Sequence, residues 1–166
     1  MTKRVFTQTF CAVGAIIERD GKILLVQENI TYTPNHPDHL KWNQPAGWLD
    51  VGENPIDAAA REVLEETGLE FKPTALIGIY SLVKENLTHF YGDTPHVIKL
   101  IFRGEVVGGK ERPQEGEIAA LNWFTPDEIY AMGPEALRDV DIKQEVKDYL
   151  AGKAIPLSTL NHTANP

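Results

Sequence analysis

The chain has 166 residues, 42% of them hydrophobic and 24% charged, with 16 basic against 24 acidic side chains and a formal charge of −8. These values fit one globular domain with a proper core and exclude a largely disordered chain. The acid excess argues against nucleic-acid polymer and anionic membrane as partners, and it sets a puzzle for any anionic substrate.

From Val5 to Ile17 the residues alternate and then become mostly small and apolar, which predicts a strand. The one cysteine, Cys11, lies inside it. It excludes an intrachain disulfide and reads as a small buried hydrophobe in a reducing compartment. The alternation over Phe6–Phe10 is unlike the apolar block of a signal peptide, and no later run reaches the ~18 apolar residues of a membrane span. Both features predict a soluble, cytoplasmic protein. Asp20-Gly21 sits between two apolar runs, a hairpin signal that leads into a strand at Ile23–Val26. Residues 29–43 carry Pro34, Pro37, His36 and His39 without a helical period and read as a loop. Further strands are expected at Ala75–Val83, His96–Phe102 and Ala119–Phe124. Between the first two of these, Glu85–Pro95 is a connector bearing His89, Phe90 and Tyr91. Thr125-Pro126 starts a helix, with Thr125 as the N-cap. Ile142, Val146, Tyr149 and Leu150 mark a C-terminal helix. The expected organisation is one domain over residues 1–152 and a polar, partly disordered tail over 153–166. Strands interleaved with helices indicate a layered α/β (α+β) domain.

Residues 53–69 carry the chemistry. Asn54 is a preferred N-cap, Pro55 suits the first helical position and Gly68 supplies the stop. At about 100° per residue, with Glu62 at about 0°, Glu65 falls near about −60° and Glu66 near about +40°. Three carboxylates thus share one arc. Ile56, Ala60, Val63, Leu64 and Thr67 occupy the opposite arc, which is expected to dock on the core. Like charges at this spacing repel, with Arg61 as the local compensation. A divalent cation reverses the sign of that cost, and clustered carboxylate oxygens suit Mg²⁺ or Mn²⁺. A solvated acidic helix face is the alternative.

The full string runs Gly47, five residues, Glu53, seven residues, then Arg61-Glu62-Val63-Leu64-Glu65-Glu66-Thr67-Gly68-Leu69. It resembles the Nudix box of the MutT-like Nudix family at every specified position. Such a match recurs by chance on the order of 10⁻⁷ per chain from average residue usage. The resemblance implies an α/β/α sandwich with a mixed central sheet. It also implies a hydrolase that cleaves a phosphoanhydride bond with Mg²⁺ or Mn²⁺. In that role Glu62, Glu65 and Glu66 are metal-binding acids, helped by the Gly47 carbonyl. Glu53 and Arg61 support the site, and Glu65 is the favoured base with Glu62 close behind. A further acid often comes from a loop before a late strand, a place that Glu115 and Glu117 both fit, with Glu117 favoured.

Trp42-Asn-Gln-Pro-Ala-Gly47 resembles the approach to the box in the phosphatase-like Nudix branch. Members of that branch act on nucleoside tri- and diphosphates and on thiamine-pathway pyrophosphates. Tyr32, Trp42, Trp48, Phe90 and Tyr91 are candidates to stack on a ring, and Lys41, Lys99, Arg103 and Arg112 to hold phosphates. The histidines lack the spacing of a zinc site. The expected partner is a small phosphorylated molecule, nucleotide-like, and the expected assembly a monomer or homodimer. Two other readings are a nucleotide-sensing module without turnover and a sanitising hydrolase of oxidised nucleoside triphosphates.

Overall fold

The computed structural model describes residues 9–164. The expected strand over residues 5–17 is seen as β1 (Phe10–Ile16), with residues 5–8 outside the described part. Both central residues of the Asp20-Gly21 turn have positive φ, 52° and 75°, as a type I′ hairpin requires. The turn joins β2 (Glu18–Arg19) to β3 (Lys22–Glu28). After the loop come β4 (Trp42–Asn43) and β5 (Ala46–Trp48), then helix α1 (Pro55–Thr67). Strand β6 (Leu69–Val83) follows α1 almost at once. A 3₁₀ turn at Glu85–Leu87 and the short α2 (Thr88–Tyr91) fill the connector to β7 (His96–Gly109). The chain closes with β8 (Ile118–Phe124), α3 (Pro126–Ala131), α4 (Ile142–Leu150) and β9 (Ile155–Pro156).

Five strands form a mixed sheet in the order β5–β1–β7–β6–β9. In it β1 and β7 are parallel, and the other pairs are antiparallel. In a second, antiparallel sheet, β3 pairs with β2, β4 and β8. Period-2 alternation splits the apolar side chains into two cores. Val13, Ala15, Leu24, Leu76 and Phe102 face α1 residues Ala58, Ala59 and Val63. Their strand neighbours Ile16, Ile23, Leu25, Ile77 and Ile101 face Ile129 of α3 and Ile142 and Val146 of α4. The result is the expected α/β/α sandwich around a mixed sheet.

Within residues 153–164, β9 pairs with Ala75 and Leu76 of β6, and Leu157 and Leu160 pack on the α1 core, while the other side chains are exposed. One expectation is corrected, and it concerns α1. Its buried residues are Ala58, Ala59, Glu62, Val63, Glu66 and Thr67, whereas Leu64 is 48% exposed. The docking arc is therefore rotated towards the acids, so that two of the three carboxylates are buried rather than displayed. Small Ala58 and Ala59 on that arc let the helix approach the strands closely.

Candidate active site

Helix α1 begins and ends as its sequence dictates. Asn54 Oδ1 accepts from the Ile56 amide at 3.0 Å, and Gly68 adopts a left-handed φ of 73° at the C-cap. This fixed helix places its carboxylates under β5. An added Cβ on Gly47 would fall among the Glu62 carboxyl atoms, so only glycine allows the strand backbone to meet that carboxylate. Glu66 Oε2 accepts from the Ala46 amide at 2.9 Å.

Arg61 organises the rest. Its guanidinium grips Glu53 with two bonds, Nε to Oε1 at 2.7 Å and Nη2 to Oε2 at 2.9 Å. Its Nη1 donates to Glu62 Oε1 at 2.7 Å and Glu65 Oε2 at 3.0 Å, and Nη2 also reaches the Trp48 carbonyl at 3.1 Å. The hydrogen bond from Arg61 holds the Glu53 carboxyl below the usual carboxylate range. Burial raises Glu62 in spite of Arg61. Burial, with repulsion from Glu28, pushes Glu66 well above its ordinary value. No three acidic, histidine or cysteine side chains converge on one point among the described residues. Arg61 draws Glu62 and Glu65 to itself, and the Ala46 amide holds Glu66.

The Glu62, Glu65 and Glu66 carboxylates of α1, though not Arg61 or Glu53, border a cavity of about 690 Å³. Gly47, Glu62, Glu65, Glu66 and Glu117 all contribute to its wall, as do Tyr32 and Trp48. Tyr32 is a rim residue, 80% exposed. Glu115 does not line the cavity, which separates it from Glu117.

Five residues expected at the substrate do not line this cavity, Arg112 and the four described next. Trp42 packs edge-on against Phe124, with ring centroids 5.0 Å apart, and belongs to the second core. Arg103 donates to the Lys153 carbonyl at 3.2 Å and covers the Tyr149 ring, because its position on β7 turns it towards α4. Phe90 stacks edge-on against His36 and Tyr91, and it is Tyr91 that lines the cavity. Lys41 stands 3.9 Å from Asp38 Oδ1 and is not part of the cavity wall.

The wall also carries charged residues that no sequence pattern had singled out. Arg138 Nη1 donates to Glu28 Oε1. Lys84, 7% exposed, bridges Asp38 at 2.9 Å and Asp139 at 2.8 Å. Lys99 did figure among the phosphate candidates. It is 3% exposed and already spent on Glu145 at 2.7 Å and Asp141 at 3.1 Å. Burial opposes its charge, yet Glu145, Asp141 and Asp139 raise its pKa. Glu145, fully buried, is pushed up to about 7 by that burial even against Lys99. The one local signal for this network is polar residues set in apolar surroundings, such as Glu28 at the end of an apolar strand.

Two packed cores, a mixed sheet and buried helix acids beneath a glycine strand define a domain of the Nudix type. The chain belongs to that family: a family model described as NUDIX domain matches residues 9–146. A NUDIX hydrolase from Nitrosomonas europaea superposes with a TM-score of 0.77 at 38% identity, covering 94% of this chain and 98% of that one. A MutT-like protein of Streptomyces ambofaciens is 32% identical over 116 residues, which are 70% of this chain. The matched part is 63% of that relative's length. The Phosphatase NudJ of Escherichia coli (strain K12) is 28% identical over 149 residues, 89% of this chain and 88% of that protein. No helix among the described residues is long and apolar enough to cross a membrane.

Proposed function

We propose that this chain is a divalent-metal-dependent hydrolase that cleaves a phosphoanhydride bond in a nucleoside di- or triphosphate or a similar diphosphate-linked small molecule. One observation carries the reading: the α1 carboxylates and the Cβ-free Gly47 backbone meet in a single cavity. The donor set fits a hard cation. Glu62 and Glu66 are buried carboxylates whose charged forms are under-compensated, and that excess is what Mg²⁺ or Mn²⁺ relieves. Glu62, Glu65 and Glu66 would hold the ion, with the Gly47 carbonyl beside them. When bound, it supplies charge stabilisation on phosphoryl oxygens and acidifies a water.

The protein's own groups do the remaining work. Glu65 is the proposed base, because its side chain is 46% exposed while that of Glu62 is 11% exposed. Arg61 keeps Glu62 and Glu65 on one side of the helix, and Glu53 keeps Arg61 in place through its two-point grip. Glu117, exposed on the loop before β8, offers a further carboxylate at the rim. The relatives named phosphatase and NUDIX hydrolase support this assignment.

The test is a panel of nucleoside tri- and diphosphates and other diphosphate esters, incubated with pure protein in Mg²⁺ or Mn²⁺. Release of phosphate or pyrophosphate that chelator abolishes is the expected result. Folded protein that releases neither product from any member refutes the proposal.

A further inference from the structure

The cavity floor holds buried polar atoms that hydrolysis does not use. Asn43 is 3% exposed, Asp38 is fully buried, and both line the cavity. Asn43 Nδ2 donates to Glu28 Oε1 at 3.3 Å, which leaves Oδ1 as the open end of the amide. Glu28 also accepts from Arg138 Nη1, so it remains an acceptor and holds the amide in that sense. Asp38 Oδ2 accepts from Lys84 Nζ at 2.9 Å. Neither Asp38 Oδ1 nor Asn43 Oδ1 has a hydrogen-bond partner among the described residues.

The adjoining wall supplies a donor. The Asp38 amide donates to His36 Nδ1 at 3.1 Å, which puts the imidazole proton on Nε2. Nε2 then donates to the Tyr91 hydroxyl at 2.8 Å, and the proton of Tyr91 is left for another acceptor. His36 and Tyr91 both line the cavity.

We propose that this floor reads the organic half of the substrate and selects a heteroaromatic ring bearing an exocyclic amine, through Asp38 Oδ1 and Asn43 Oδ1. The proposal rests on the phosphoanhydride reading of the same cavity. A fully ionised phosphate brings only acceptor oxygens, so it does not complete these atoms. A ring with a keto group in place of the amine sets acceptor against acceptor. A hydrocarbon leaves both acceptors buried and unmet. An amino-purine or amino-pyrimidine edge meets them with N–H donors, and the Tyr91 hydroxyl can serve a ring nitrogen or a sugar oxygen. Sites built on such bonds discriminate far more sharply than apolar pockets do.

Nucleosides test the floor without metal or turnover. Cytidine and uridine, then guanosine and inosine, differ in the exocyclic amine. Titration of each into the protein in chelator, followed by NMR, is expected to show the amino member of each pair binding at least tenfold more tightly. The Asn43→Leu variant, checked for its fold by the same spectra, is expected to lose most of that preference. Equal affinities within both pairs, a keto preference, or no binding of any of the four at millimolar concentration overturns the proposal. Retained preference in a folded Asn43→Leu protein overturns the role of Asn43. Amine preference in a protein that hydrolyses nothing sinks the hydrolase reading alone, and hydrolysis without amine preference sinks this one alone.

Discussion

Gly47→Ala separates the site from the fold. Gly47 has a negative φ and sits in β5 opposite Val13 of β1, so alanine fits the backbone. Its Cβ would nevertheless land among the Glu62 carboxyl atoms, only 2.5 Å from the farther oxygen. Carbon and oxygen need roughly 3.3 Å or more, so the carboxylate must withdraw by about 1 Å. It cannot withdraw freely, because Arg61 Nη1 holds it at 2.7 Å and is itself pinned to Glu53. A displacement of that size in a positioning group costs on the order of 100-fold in rate. Stability responds differently. A Gly→Ala change on permitted backbone gains about 0.4–1 kcal/mol from the unfolded state, offset here by the local rearrangement. The expected result is a melting temperature in chelator close to that of the parent, with kcat reduced about 100-fold on whichever panel substrate turns over. Isothermal titration with Mn²⁺ is expected to show weaker binding. A variant that keeps kcat within about threefold would refute the claim that Glu62 works against the Gly47 backbone.

Other substitutions probe separate links. Arg61→Lys keeps the charge but not the two-point grip on Glu53, and steady-state kinetics should show kcat falling about 10- to 100-fold; full activity would remove Arg61 as a positioning residue. Glu145 sets a pH dependence. Its folded pKa of about 7 exceeds its unfolded value, so the folded state binds the proton more tightly. Stability from this group is therefore present below the unfolded pKa and lost as pH rises to about 7, at most about 3 kcal/mol in size. Urea unfolding in chelator from pH 4.5 to 7.5 should show a shallower decline for Glu145→Gln, and an unchanged slope would contradict the burial argument. Thr125→Ala removes the hydroxyl half of the capping box at α3, the acceptor for the Glu128 amide, and leaves the Glu128 carboxylate its bond from the backbone amide of residue 125. It should cost about 1 kcal/mol by denaturant melt and leave kcat unaltered.

The limits of the α1 helix were legible because they are local. Asn54, Pro55 and Gly68 act within one turn of themselves, and the acid spacing follows from the helical period alone. Which arc faces the core was not legible. Ala58, Ala59 and Ala60 make both sides of the acids similar in hydropathy, and only the position of β5 decides between them. Strand ends were hidden by Pro73, which the structure accommodates where the β6–β7 register shifts between Pro73 and Ala75. The strand expected at His96–Phe102 runs on to Gly109, and its Gly-rich end pairs with Leu69–Pro73. The cavity floor was the least accessible part. Glu28 and Arg138 are 110 positions apart, and Asp38 and Lys84 are 46 apart. No window of sequence contains either pair.

Two groups of acids lie at or near the cavity wall, and they differ in how well their charge is met. Around the floor, Glu28, Asp38, Asp139, Asp141 and Glu145 are met by Arg138, Lys84 and Lys99 at ion-pair distance. Glu145 relieves much of the remaining imbalance by taking up a proton near neutrality. Along α1 the ratio is poorer. Glu53, Glu62 and Glu65 share the single guanidinium of Arg61, and Glu66 has an amide for its hydrogen-bond partner. Part of the uncompensated charge is thus gathered beside Gly47, while exposed acids such as Glu18, Asp20, Asp57 and Glu85 carry charge elsewhere on the surface. A chain of formal charge −8 would repel a polyphosphate if that charge were uniform. On the proposed function, the carboxylates gathered beside Gly47 would draw a small hard cation first, and that ion would offer the substrate a local positive centre. Substrate affinity should therefore rise with Mg²⁺ concentration and saturate with it, and phosphate-ester binding that is equally tight in chelator would refute this ordering.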